Sequence, residues 1–435
     1  MALKSLATAA QVQSILKTNS IMVEVDGSIR RITLDKLIDS INAGNEELLR
    51  SVAWGVPIKQ GTQTSSEWGR VGNLDMWALF KSQCGRYLVK NNGHAAKLSV
   101  SNSGIFADGT ALDESIGHVL FHAPKLYYKV QEDAVSGIPY LWMSLIPIGG
   151  HFIPETNIGA YKGSMAGTAL ASRSGAKPAG SKTITAFWNA AQVNGPQWGL
   201  INYGHKQLMM MLLLSEYGNP NAQAVLGQGV TGTNNGSDYS TPLQWDLGAT
   251  KSLGDACGKI DFEWENSGGV TVTGANHVSL FGIEDPYALQ WEFTQGIYCG
   301  NSGNENQDGS EVFIYEGNRM PSADELANHP IGDYRQLTRL TSSGYVREET
   351  VGEFFDLVPK VHGGGGTQYW GDYHYANATG QVVCWGGVAL NGADCGLAYA
   401  YSYDAWSLSH ASLGSRLAYY GELTVMSGAQ LVAEV

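Results

Sequence analysis

Glycine interrupts this chain so often that long regular elements are excluded over much of its length. There are 55 Gly among 435 residues, about twice the usual ~7% share, and Gly supplies turn dihedrals while weakening helix and strand interiors. Between Gly218 and Gly363 the turn signals GTNNGSD, NSGG and GNSGNENQDG cut the sequence into short strands and loops. The 12 Trp and 21 Tyr suit pleated surfaces, so the expectation is a loop-rich, strand-rich protein packed on aromatic rings. HVLFHAPKLYYKVQ and IPYLWMSLIPIGG read as β-rich segments joined by a turn, and ITAFWNAAQVNGPQWGLINYGHKQLMMMLLLSEYG as two helices. The second helix is apolar almost all round, which predicts burial.

At roughly 100–200 residues per domain the length suggests two or three domains. IMVEVDGSIRRITLDKLIDSIN reads as a hairpin turning at Asp26-Gly27, then a helix from near Thr33 with Leu34, Leu37, Ile38 and Ile41 on one face. A Gly/Ser/Asn-punctuated stretch follows, with a strand-like GRYLVKNN and a turn at Asp108-Gly109, and the texture changes near His118. The division expected is therefore 1–50, a β-rich 51–114, and 115–435.

Charge and apolar runs exclude several partners. With 27 Lys+Arg against 40 Asp+Glu the formal net charge is -13, which opposes nucleic acid or anionic lipid as the main partner. The opening MALKSLATAAQVQSILK lacks the unbroken apolar stretch of a cleaved signal. Leu208 to Leu214, the longest apolar run, falls far short of the ~20 residues of a membrane span, so no membrane insertion is expected. Cys84, Cys257, Cys299, Cys384 and Cys395 show no CxxC spacing and form neither a dense disulfide framework nor a zinc ribbon.

Catalytic patterns are scarce. Gly227-Gln-Gly229-Val-Thr-Gly232 matches GxGxxG but follows a helical segment and precedes a loop, whereas a dinucleotide fingerprint follows a strand and opens a helix. The ten His include no HExxH, and His205 on its apolar helix reads as a satisfied core histidine. Glu263 and Glu265 alternate like a strand's exposed face; whether any carboxylates form a glycosidase pair depends on their separation in space. GxSxG, a P-loop and calcium-loop motifs are missing. No catalytic residue, metal or cofactor is expected.

The last quarter carries more information. From Val388 to Ser412 small residues (among them Ala389, Gly392, Ala398, Ala400, Ser402 and Ala411) interleave with chemically unrelated ones: Val388, Leu390, Asp394, Tyr401, Tyr403, Asp404, Leu408, His410 and Ser412. Within Val388/Leu390, Tyr401/Tyr403 and Leu408/His410/Ser412 the spacing is two, which on extended backbone places each group on one face. Such a mixture has no packing logic but suits a recognition surface, in which Tyr gives rigid contact area. An ordinary strand pair with some exposed apolar residues is the competing reading.

Gly386-Gly387, Gly396-Leu397-Ala398-Tyr399 and Leu413-Gly414-Ser415-Arg416-Leu417 resemble the variable region of proteins diversified by retroelements that mutate template adenines. In that family an AAC codon becomes any NNC codon. Val, Leu, Asp, Tyr, His and Ser are all NNC products, Asn391 sits where an undiversified template residue would, and Cys395 reads as a further diversified position. Upstream, Gly282, Glu284, Trp291, Glu292 and Gly296 in GIEDPYALQWEFTQGI are similar to the core of C-type lectin-fold proteins related to formylglycine-generating enzymes, and MSLIPIGGHFIPETNIGAYKGS resembles that domain's opening strands. Together these resemblances cover about 115–423. SIRRITLDKLIDSIN looks like the attachment end of phage tail-fibre proteins.

The resemblance implies an α+β chain: a small N-terminal attachment domain followed by a C-type lectin fold of the formylglycine-generating-enzyme-like variant, with a diversified region at about 384–417. It implies a phage or prophage receptor-binding protein, located on the virion and often trimeric. Its partners would be other particle proteins and a host-cell surface protein or glycan, bound through Val388, Leu390, Asn391, Asp394, Cys395, Tyr401, Tyr403, Asp404, Leu408, His410 and Ser412. An architectural particle protein and a formylglycine-generating-type enzyme are the alternatives. Val388, Leu390, Tyr401, Tyr403, Leu408 and His410 are expected exposed on one patch, with Trp385, Trp406 and Arg416 largely buried.

Overall fold

The computed structural model describes residues 9–25, 28–133, 136–231, 245–265, 271–300, 311–315, 317–320, 334–379 and 381–434. The Asp26-Gly27 turn, GTNNGSD, NSGG and all but Gly300 of GNSGNENQDG lie outside them.

At the N-terminus the strands Ser20–Val25 and Ser28–Thr33 pair antiparallel, and the helix Leu34–Asn42 begins where expected. Thr33 caps it by accepting from the Lys36 N–H, and Leu34, Leu37 and Ile41 are its buried stripe. A second helix, Glu46–Val52, was not anticipated. Its signal was short: Asn45 as cap with Glu46 and Glu47 in the first turn.

The chain is mixed α and β and sheet-rich, and includes a nearly closed, barrel-like sheet. One sheet runs in the order Trp198–Leu200, Leu417–Tyr419, Thr156–Gly159, His118–Ala123, Gly85–Val89, His94–Ser99, Thr424–Val425, with Asn102–Phe106 also against His94–Ser99. Another places Trp54–Pro57 between Pro139–Ser144 and Val71–Gly72. Strand pairing therefore runs across residue 114 in both sheets: Gly85–Val89 pairs with His118–Ala123, and Trp54–Pro57 with Pro139–Ser144.

The two expected helices are Ile184–Gln192 and Tyr203–Tyr217. In the second, 12 of 15 residues are buried, because apolar side chains all round leave no face for water. Asn202 and His205 close its first turn reciprocally, the Asn202 side chain accepting from the His205 N–H and His205 Nδ1 from the Asn202 N–H. Burial pulls the His205 pKa down to about 3, so this ring is neutral, as a satisfied core histidine should be.

One carboxylate ties these layers together. Glu292, on the strand Trp291–Cys299, accepts from Lys162 Nζ (3.1 Å), Lys206 Nζ (2.5 Å) and Arg416 Nε (2.9 Å), all fully buried. Arg416 also donates to the carbonyls of Gly159, Ala160, Glu284 and Asp285. Burial alone would raise the Glu292 pKa; Arg416, Lys162 and Lys206 outweigh it and hold the group well below the usual carboxylate range. Both lysines bond this one carboxylate, shared with Arg416, and burial brings Lys162 down to about 8.

Candidate functional site

The site grows out of the sheet ordered Arg335–Thr338, Glu311–Ile314, Trp291–Cys299, Val382–Trp385, Ala400–Ser402, Tyr373–Ala376, Gly344–Thr350, Val358–His362, with Leu413–Ser415 added parallel to Trp291–Cys299. Tyr375 is registered opposite Tyr401, and Cys384 opposite Tyr401 on the other side. Because side chains alternate across a strand, Tyr373, Tyr375, Tyr399, Tyr401 and Tyr403 share one face, whereas His374, Ala376, Ala400 and Ser402 are buried on the other.

Trp291 closes the aromatic row. Its ring lies 4.5 Å from Tyr399 and 5.0 Å from Tyr401. Tyr375 stacks on Tyr401 at 5.5 Å and on Tyr403 at 4.8 Å, distances at which offset aromatic pairs are attractive. The segment delivering Trp291 is strained: Ala288 (φ 58) and Leu289 (φ 57) both adopt left-handed backbone, which costs about 1 kcal/mol or more per non-Gly residue. Hydrogen bonds from Ala288 N–H to the Gly386 carbonyl and from Leu289 N–H to the Val230 carbonyl hold them there. Gly387 is required nearby, since at φ 89 a Cβ would come within 2.5 Å of Cys395 Sγ.

Over these rings opens a groove of about 480 Å³, within the size range of small-molecule sites. Its remaining lining is Asn391, Asp394, Asp404, Leu408, His410, Ser412 and Leu413. Tyr345 Oη donates to Asp394 and Tyr401 Oη to Asp404. Burial and the Asp394 hydrogen bond push Tyr345 up to about 12, and burial with Asp404 pushes Tyr401 higher still, so both phenols are neutral donors.

Eight of the eleven expected site residues line this groove: Asn391, Asp394, Tyr401, Tyr403, Asp404, Leu408, His410 and Ser412. Val388, Leu390 and Cys395 are not among its lining. Val388 is 2% exposed and Cys395 1%, correcting the expectation of an exposed Val388 and of a displayed Cys395. The spacing rule fails there because 388–395 is not extended: Val388 N–H donates to Asn391 Oδ1 and a 3-10 turn spans Gly392–Asp394. Val388 thereby turns into the core that holds Trp291 and Tyr399, and Leu390 is half-buried against it. Cys395 sits beside Thr231 Oγ1 and the Val388 carbonyl.

Of the six residues expected exposed, only Tyr403 and His410 are; Tyr401 and Leu408 are half-buried. The surface is concave, so its rings cover one another. Trp385 and Arg416 are buried as expected, but Trp406 is only half-buried, with Nε1 donating to Thr185 Oγ1. Trp291, Tyr373, Tyr375, Tyr399 and Leu413 were missed as lining residues. Tyr373 and Tyr375 in GDYHYA carry the same spacing of two as Tyr401 and Tyr403.

A second arrangement superficially suits catalysis. Ser402 Oγ lies 3.2 Å from His374 Nε2, and His374 Nδ1 lies 3.2 Å from His362 Nε2. Arg339 donates to Ser402 Oγ at 2.7 Å, and the adjoining apolar cavity measures about 20 Å³, room for no more than about one water. Burial lowers His374 to about 3. His374 and Ser402 are buried, and the chain of contacts joins strands. Cys384 and Cys395 are buried, and burial pushes both thiols far above their ordinary pKa, the opposite of an activated cysteine. Gly227 of the GxGxxG pattern follows the helix Ala222–Val225, and Gly232 lies outside the described residues. Among the described residues no three His, Cys, Asp or Glu side chains cluster as metal ligands, and no helix is long and apolar enough to cross a membrane.

No protein-family model matches the chain, and no curated protein matches it.

Proposed function

We propose that this chain is a receptor-binding protein of a phage or prophage particle, whose groove over Trp291 displays retroelement-diversified side chains to a host-surface ligand. The observation that carries the reading is a partition. Asn391, Asp394, Tyr401, Tyr403, Asp404, Leu408, His410 and Ser412 converge on one groove, while the small residues interleaved with them, Ala398, Ala400, Ser402 and Ala411, are buried. Variation at the first set changes contact area, and constancy of the second keeps the sheet. The C-type lectin fold, a trimeric assembly and an attachment role for the N-terminal hairpin and helix belong to the same reading. Several copies on one particle would raise weak single-site binding through avidity. Inert, buried Cys384 and Cys395 favour binding over formylglycine-type chemistry.

The test is to sequence the DNA beside the coding region. The expected result is a reverse transcriptase gene and a near-copy of the codons for 384–417 whose adenine mismatches fall on groove-lining codons such as those of Tyr401, Tyr403, Asp404 and His410. Absence of the near-copy, or mismatches confined to codons of buried residues, would overturn the reading.

A further inference from the structure

The chemistry of the groove narrows the ligand it takes, an inference that rests on the groove being the binding site. Two carboxylates, Asp394 and Asp404, stand in the lining, and among the described residues that line the groove there is no Lys or Arg. An anionic ligand would meet like charge from both carboxylates there, within a chain that already carries a formal -13. The other dominant feature is six aromatic rings, those of Trp291, Tyr373, Tyr375, Tyr399, Tyr401 and Tyr403. Ring faces carry negative quadrupole potential and attract organic cations, Trp and Tyr most strongly, and more so when the site is partly desolvated.

The carboxylates are also pre-positioned. Tyr345 Oη holds Asp394 through Oδ1, and Tyr401 Oη holds Asp404 through Oδ2, so neither side chain needs to be ordered again when a ligand arrives. We propose that the groove binds an alkylammonium group, seated on the Tyr375–Tyr401–Tyr403 rings with Asp404 and Asp394 as counter-charges. Its volume of about 480 Å³ leaves space for part of the molecule that bears the cation.

Calorimetric titration of the full chain with three probes tests this: choline, N-acetyl-lysine amide, and the neutral isostere of choline in which carbon replaces nitrogen. The isostere has the same shape without the charge. At least one ammonium probe is expected to bind about ten-fold or more tighter than the isostere, consistent with a cation–π and carboxylate contribution. Preference for choline would assign a methylated headgroup, and preference for the lysine amide a primary amine; either supports the proposal. Asp404→Asn and Tyr403→Ala should each weaken that binding several-fold while leaving the protein folded at the temperature of the titration. Equal binding of ammonium and isostere, or no saturable binding by any probe, would overturn it. If the adenine-mismatched near-copy is found and the isostere binds equally, only the cation assignment falls. If choline binds and the near-copy is missing, only the retroelement reading falls.

Discussion

Glu292→Gln is expected to destabilise the protein by about 3–5 kcal/mol, the range seen when one member of a buried ion network is removed and its partners stay. The substitution keeps shape and an acceptor oxygen but strips the carboxylate bonded to Lys162, Lys206 and Arg416. Those three cations are buried, so water does not replace it; the lysines must lose protons or the core must open. Lys206→Met should cost less, because Glu292 would keep two cationic partners. The deficit should also depend on pH in one direction. A carboxyl whose folded pKa lies below its unfolded value contributes stability that is present above about pH 4.5 and lost as pH falls through the folded pKa. The gap between wild type and Glu292→Gln should therefore be widest near pH 7 and narrow as the pH falls below about 4. Urea denaturation across that range measures it, and a pH-independent gap, or none, would contradict the assigned network.

Trp291→Ala should cost about 3–5 kcal/mol, as a buried aromatic truncated to a methyl leaves a cavity. Trp291 is 5% exposed and supports Tyr399 and Tyr401 directly, so the groove should lose its floor with the stability. Tyr403→Ser should cost under about 1 kcal/mol, since the ring is 38% exposed and its main packing is the stack on Tyr375. Tyr401→Ser should fall between them, because that ring is half-buried between Trp291 and Tyr375. Thermal melts of the three variants order these positions, and equal losses at Trp291 and Tyr403 would mean that the last strands are simply core.

The sequence was most legible where one local rule decides the structure. Thr33 starting a helix with Leu34, Leu37 and Ile41 inward, and the all-apolar Tyr203–Tyr217, depend on capping and burial alone. Alternation likewise placed Tyr401 and Tyr403 on the groove face. It misplaced Val388 because the Asn391 side chain caps a tight turn there, and period two holds only on extended backbone. Long-range pairing was not legible: the textural change near His118 marks no break in either sheet, since Gly85–Val89 pairs directly with His118–Ala123. Nor was the cluster of Lys162, Lys206, Glu292 and Arg416, whose members lie far apart in sequence and meet only once the helix and the strands have packed.

The central claim is that the more exposed groove side chains are free to vary while the buried residues that carry them are not. Two libraries test it most directly, one randomised with NNC codons at Asp394, Tyr401, Tyr403, Asp404, Leu408 and His410, the other at Val388, Tyr399, Ala400, Ser402 and Ala411. The measurement is the fraction of each that remains protease-resistant at a temperature where the wild-type chain is folded. The account predicts that most of the first library stays resistant and most of the second is digested; equal digestion of the two would contradict it.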